Sequence, residues 1–201
     1  KHVFCEKAVA VDGPGLRSGA ETVKAAKQKN LNLVSGLCWR YDYGVRETMK
    51  RIQDGAIGDI VAVQENYLTG LLWHRGRKEN WSEMEYQMRN WYYFNWLCGD
   101  HIDEQHIHNL DVINWLKDGF PVSAQGQGGR EVRDGKDHGQ IFDHHFVEYT
   151  YGDGSKLFSQ CRHIRNCWNS VSEHAHGSKG YADIGGGKIY NSQGDMIWRT
   201  T

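Results

Sequence analysis

The chain has 201 residues, with 24 Lys and Arg against 25 Asp and Glu, for a formal net charge of −1. A balance this even excludes a nucleic-acid or membrane-surface binder held by long-range electrostatics. No apolar run reaches the ~18 residues of a membrane span, and eight Trp, ten Tyr and six Phe exclude a disordered chain.

The composition is skewed toward a polar-aromatic cleft of the kind that binds sugars. Gly numbers 24 and Pro only 2, against roughly 14 and roughly 10 at average usage, and there are 11 His. The five cysteines, Cys5, Cys38, Cys98, Cys161 and Cys167, are odd in number and form no C-x-x-C. Neither a disulfide framework nor a structural zinc site is expected. Free thiols favour a reducing compartment, so a cytoplasmic placement is expected. The chain opens on Lys1-His2-Val3-Phe4-Cys5 without an initiator Met and closes on Met196-Ile197-Trp198-Arg199-Thr200-Thr201. It reads as a fragment, which leaves export of a longer parent, for example to the periplasm, open.

In chain order, His2 to Cys5 reads as a short strand and residues 14–29 as a helix. The helix has Asp12 as N-cap, Leu16, Ala20, Val23 and Ala26 on one face, lysines toward its end and Asn30 as C-cap. Leu31 to Cys38 is a second strand, so strand, helix and strand form a βαβ unit with parallel strands. Residues 44–54 form a helix and residues 59–68 a strand alternating at Val61, Val63 and Glu65. Residues 69–96, dense in Trp, Tyr, Arg and Asn, are a functional excursion with some helix. Residues 100–117 read as one strong helix. The remainder is β-rich, with strands over 122–126, 142–151, 156–163, 171–176, 181–184 and 188–190, and a hairpin turn at Gly152-Asp153-Gly154. The change from βαβ to antiparallel β sets a domain boundary near Arg40.

Three constellations can carry chemistry. Glu6-Lys7 ends a parallel strand, the edge at which open α/β sheets bind ligands; a lysine there can hydrogen-bond a substrate oxygen or move a proton. His101, Glu104, His108, Asp111 and Trp115 recur three and four apart and would line one helical stripe, where a carboxylate can orient an imidazole for acid/base work. A metal site of His101, Glu104 and His108, joined by Asp143, His144 or His145, competes for the same stripe. No zinc or iron signature accompanies it, and no metal is expected. Third, Trp73, His74, Trp81 and residues 86–93, including Arg89 and Asn90, combine rings with bidentate polar groups and suit a carbohydrate. Alternation places Gln160 and Arg162 on one strand face, and Arg162 and His163 are further candidates for the same cleft.

The opening HVFCEKAVAVD resembles the segment of Gfo/Idh/MocA oxidoreductases (the glucose–fructose oxidoreductase and inositol dehydrogenase family) that carries their Glu-Lys-Pro motif. Arg40-Tyr41-Asp42 with DGAIGDIVAV resembles that family's passage into its second domain, GDHIDEQHIHNLDVINW its active-site helix, and Gly177-Ser178-Lys179-Gly180 its late Gly-Thr-x-Gly stretch. The resemblance implies an α/β (α+β) architecture: residues 1–40 as the C-terminal portion of a dinucleotide-binding Rossmann domain, and residues 41–201 as an α/β domain with a large, mostly antiparallel open sheet that binds substrate and pairs with further copies. It implies NAD or NADP as cofactor, with Glu6, Lys7 and Arg40 on the cofactor side. Lys7, His108 and Glu104 are then the catalytic residues, and Trp73, His74, Arg89, Asn90, Arg162 and His163 approach a sugar or polyol. The implied reaction is hydride exchange between nicotinamide and a hydroxyl-bearing carbon. The alternatives are an NAD-dependent glycosidase that oxidises its substrate transiently and a non-catalytic sugar-binding or assembly module. Three departures stand out: Ala8 in place of the motif Pro, Glu104 in place of Asp, and no glycine-rich phosphate loop.

Overall fold

The computed structural model describes residues 1–201. The chain divides into two compact units, the first made of Lys1–Leu37, Leu72–Ile107 and Arg130–Asp143, the second of Cys38–Leu71, His108–Gly129 and His144–Thr201. The chain first crosses between the units at Leu37/Cys38. The chain then returns twice to the first unit, because Tyr86, Tyr92, Tyr93, Phe94, Cys98 and Ile141 bury one another in an apolar core separate from that of the sheet.

In the first unit, β1 (Val3–Cys5) and β2 (Leu33–Ser35) pair in parallel around α1 (Gly13–Gln28). The Asp12 carboxylate accepts from the Gly15 N–H at 2.7 Å, and Pro14 occupies the first turn, where its missing N–H costs nothing. Lys29 caps the other end, and Asn30 follows in the left-handed conformation at φ 52°. Three short helices complete the unit: α3 (Glu83–Arg89), α4 (Asn95–Cys98) and α5 (His101–Glu104). Arg133, 1% exposed, sits against the Tyr92 and Tyr93 rings and donates to the Phe142 carbonyl at 2.8 Å.

The second unit is an eight-stranded sheet with two helices. Its helices are α2 (Tyr43–Gln53) and α6 (Ile107–Leu116). Its strands are β3 (Ile60–Thr69), β4 (Ser123–Gly129), β5 (His144–Thr150), β6 (Lys156–His163), β7 (Ser170–Gly177), β8 (Gly180–Asp183), β9 (Lys188–Asn191) and β10 (Met196–Arg199). They run in the order β10-β9-β8-β7-β3-β6-β5-β4, and every pair is antiparallel except β3 with β6. Val45, Met49 and Ile52 of α2 and Val112, Ile113 and Leu116 of α6 bury the inward face of the sheet, formed by Val63, Leu157, Ala175, Ala182 and Ile189. Phe146 and Phe158 on the opposite face are 44% and 38% exposed. No helix of the chain is long and apolar enough to cross a membrane.

Three readings need correction. An irregularity in the β3–β7 register between Ile60 and Ala62 breaks the expected alternation, leaving Val61 61% exposed while Val63 is fully buried. The expected single helix over 100–117 is two helices. The N–H groups of Gln105 and His106 both reach the His101 carbonyl, at 3.0 and 3.2 Å, and the second of these is an i→i−5 bond that inserts a residue into the helical repeat. His101 and Glu104 therefore do not continue one regular stripe into His108, Asp111 and Trp115. Finally, β10 adds an edge strand at Met196–Arg199 that was not expected.

Candidate active site

The strand-end lysine is the centre of the candidate site. Lys7 follows β1 and Glu6, and its Nζ donates to both the side-chain carboxylate and the backbone carbonyl of Glu104, with side-chain exposures of 14% and 10% for the two residues. The Lys7–Ala8 peptide is cis, with Ala8 at the position where the resembled motif carries Pro. A cavity of about 370 Å³ opens beside this pair, lined by Glu6, Lys7, Ala8, Val11, Trp91, Leu97, Cys98 and Glu104. The lining thus combines charged and apolar side chains, and the Trp91 ring in it is exposed on its outer side.

Burial dominates the acidity of this site. The Glu104 carboxyl is raised above the ordinary range by burial, against the opposing pull of Lys7. Asp103, its neighbour, is pushed up to about 6, first by burial and then by the Glu104 charge, with Lys7 again opposing. The Cys98 thiol is pushed up to about 12 by burial, which makes it an inert wall rather than a nucleophile.

The other expected residues have definite places. His108 is half-buried in the first turn of α6. Arg40 is held in a bidentate pair by Asp111, through Nε at 2.7 Å and Nη2 at 2.8 Å, with its guanidinium over the Trp115 ring. Trp73 is 41% exposed and lies 5.9 Å from Trp91 between ring centroids. His74 Nε2 meets the Tyr86 hydroxyl at 2.9 Å and the Asp137 carbonyl at 3.1 Å. Asn90, fully buried, exchanges hydrogen bonds with the Arg75 backbone and so ties residues 72–75 to α3. Arg89 pairs with Glu85 one helical turn back and lies over Trp81. Arg162 Nη2 donates to the Trp168 carbonyl and the Asn169 side chain, bracing the β6–β7 loop. His163, fully buried, stacks on Tyr67 at 5.8 Å. Asp143, considered above as a metal ligand, accepts from the backbone N–H groups of Glu131, Val132 and Arg133 and so closes that loop.

Trp91 and Asp103 were missed as individual site residues. Trp91 lies within the aromatic run, but only the fold shows which ring of that run lines the cavity beside the lysine. Asp103 adjoins Glu104 in sequence, and adjacent carboxyls on a short helix were the available signal.

No protein-family model matches the sequence. The chain is 29% identical over 153 residues to an uncharacterized oxidoreductase of Streptococcus pneumoniae, covering 76% of this chain and 37% of that protein. It is 27% identical over 154 residues to the 2,7-anhydro-N-acetylneuraminate hydratase of Escherichia coli, covering 77% of this chain and 37% of that protein. Among solved structures it resembles a levoglucosan dehydrogenase in complex with NADH and levoglucosan, with a TM-score of 0.75 and 18% identity over 100% of this chain and 53% of the other. The fold is that of the C-terminal part of Gfo/Idh/MocA-type oxidoreductases, as the motif resemblance implied. The chain spans little more than a third of the length of the curated relatives it matches and about half that of the solved structures.

Proposed function

We propose that this chain is the substrate-handling portion of an NAD- or NADP-dependent oxidoreductase acting on a hydroxyl-bearing carbon of a sugar or polyol. The observation that carries this reading is the Lys7–Glu104 pair on the wall of a cavity at the C-terminal end of a parallel strand. Lys7 is placed to donate a hydrogen bond to a reacting oxygen, and Glu104 holds the ammonium in that orientation. Trp91 and Leu97 line the same cavity and offer an apolar face to a flat ring or to the C–H face of a sugar. The size and mixed lining of the cavity fit a nicotinamide ring, with Glu6 and Lys7 as the residues that would hold it, and Arg40 is assigned to the cofactor side by resemblance. When bound, that ring accepts or supplies the hydride. The same resemblance assigns His108 as the group that takes or returns the hydroxyl proton. Trp73, His74, Arg89, Asn90, Arg162 and His163 remain substrate-side assignments, and the exposed sheet face that includes Phe146 and Phe158 is assigned to pairing with a second copy.

The test uses the full-length protein containing this chain. NADH fluorescence titration should show binding, and Lys7→Ala and His108→Ala should each lower turnover of a sugar alcohol by roughly 10²-fold or more. Full activity in both variants rejects the assigned roles. A second reading keeps the fold and lets the nicotinamide recycle around an elimination or hydration; the hydratase among the relatives favours it. It predicts product formation with no net reduction of added NAD.

A further inference from the structure

Two glutamates that the proposed reaction does not use oppose one another inside the second unit. Glu65 on β3 and Glu173 on β7 are direct partners in the antiparallel register, which sets their Cβ atoms about 5 Å apart, and neither is exposed at all. The charged neighbours that act on Glu173, Glu65 and Asp183, are both acidic. Two full charges so placed would be penalised by desolvation and by mutual repulsion, and one shared proton removes most of both penalties. The oxygens of Glu173 are differentiated accordingly. Oε1 accepts from the side-chain amide of Asn109 at 2.5 Å, whereas Oε2 has no hydrogen-bond partner, and a Cβ on Gly185 would stand 2.9 Å from it. The same Asn109 amide also reaches the Asn66 carbonyl of β3 at 3.3 Å, so one buried side chain ties α6 to two strands.

We infer that Glu65 and Glu173 form a buried acid pair sharing one proton and that, through Asn109, this pair is the positioning element for the first turn of α6, which carries His108. Burial, then the Glu65 charge, pushes the Glu173 carboxyl up to about 8, with the Asn109 hydrogen bond opposing. From β5, Tyr149 and Tyr151 face the Glu65 charge with hydroxyls that burial keeps protonated, and Cys161 acts on Tyr149 from β6. Only the link from α6 to catalysis rests on the proposed function; the pair itself is tested without turnover.

The experiment is a carbon-13 carboxyl NMR titration of the chain labelled at glutamate, with thermal melting from pH 4.5 to 9, for the parent, Glu173→Gln, Glu65→Gln and Glu173→Ala. One carboxyl of the parent should titrate at least about two units above an ordinary glutamate. That signal should vanish in Glu173→Gln and move toward the ordinary range in Glu65→Gln. Glu173→Gln keeps the acceptor for Asn109, supplies an N–H in place of the acid O–H, and should melt within about 2 °C of the parent near pH 6. Glu173→Ala should melt at least about 5 °C lower. The His108 ring resonances should shift in the alanine variant and return in the glutamine variant, a rescue that loss of packing alone would not give. Glutamates that all titrate in the ordinary range, or a glutamine variant as unstable and as shifted at His108 as the alanine variant, would overturn the inference. Failure of the longer protein to bind NADH would count against the proposed function and leave these titrations standing.

Discussion

Lys7 and Glu104, 97 positions apart in the chain, are joined by an ion pair that also engages the Glu104 backbone carbonyl. Both side chains are nearly buried, so removing one leaves the other uncompensated. Lys7→Met should cost about 3 kcal/mol at pH 7.5, and Lys7→Met/Glu104→Gln should recover more than half of it. Without Lys7 the carboxyl of Glu104, already raised by burial, rises further, so the folded state takes up its proton at higher pH than the unfolded state. The deficit of Lys7→Met should therefore shrink as pH falls to 4.5. Urea denaturation at the two pH values measures this, and an equal deficit at both would remove the pair from the stability of the fold.

Asp103 makes a separate pH prediction. Its folded pKa of about 6 lies above the ordinary aspartate value, so the folded state binds more protons than the unfolded state between about pH 4 and 6. The sign follows: this group favours folding below pH 4, and that contribution is lost as pH rises through 6. Allowing for its partial solvent contact, the loss is on the order of 1 kcal/mol. Asp103→Asn should melt about 2–4 °C above the parent at pH 7.5 and level with it at pH 4.5. A constant offset at both pH values would show that the carboxyl is not the cause.

Local signals carried much of the fold. The βαβ start was legible because Asp12, the apolar spacing of residues 16–26 and the terminal lysines all act within a few residues of one another. Lys156–His163 matches its expected span because its alternation is regular. The Gln127–Gly129 end of β4 was not legible, since glycines weaken strand propensity and the ladder to Phe146, His145 and His144 supplies the pairing. The break between α5 and α6 depends on one backbone hydrogen bond that no side-chain pattern announces. In the site, Lys7 and Glu104 were each legible as chemistry-bearing residues. Their contact, and the facing of Glu65 with Glu173, are non-local facts of register and packing. Glu65 at an apolar position of an alternating strand was the sole hint of the buried acid pair.

Glycines at the β7–β8 turn should be intolerant for a reason specific to each position. A Cβ on Gly180 would lie 2.1 Å from the Tyr190 carbonyl oxygen, and one on Gly177 would lie 2.2 Å from the Ile57 carbonyl oxygen, backbone atoms that cannot swing aside. Gly180→Ala should cost about 1–3 kcal/mol by forcing β8 and β9 apart. Gly70→Ala is the control: nothing lies within 4 Å of the added methyl and its φ is not positive, so it should be neutral or stabilising by about 0.5 kcal/mol. Paired thermal melts measure both, and a harmless Gly180→Ala would mean that these strands are free to separate.

Arg40 and Asp111 should show an asymmetry between their single variants. Asp111 has a side chain 12% exposed, against 40% for Arg40. Arg40→Ala leaves a mostly buried carboxylate without its bidentate partner, whereas Asp111→Asn leaves a guanidinium that water can reach and that still lies over Trp115. Arg40→Ala should therefore cost about 2 kcal/mol and Asp111→Asn about 1 kcal/mol, with Arg40→Ala/Asp111→Asn less destabilised than the sum of the two. Arg40→Lys should fall between, because an ammonium cannot reproduce the two parallel N–H donors or the flat stack on the indole. A double-mutant cycle by chemical denaturation yields the coupling directly. A coupling near zero would mean that the pair contributes geometry without stability, and the case for Arg40 would then rest on its effect on NADH affinity in the full-length protein.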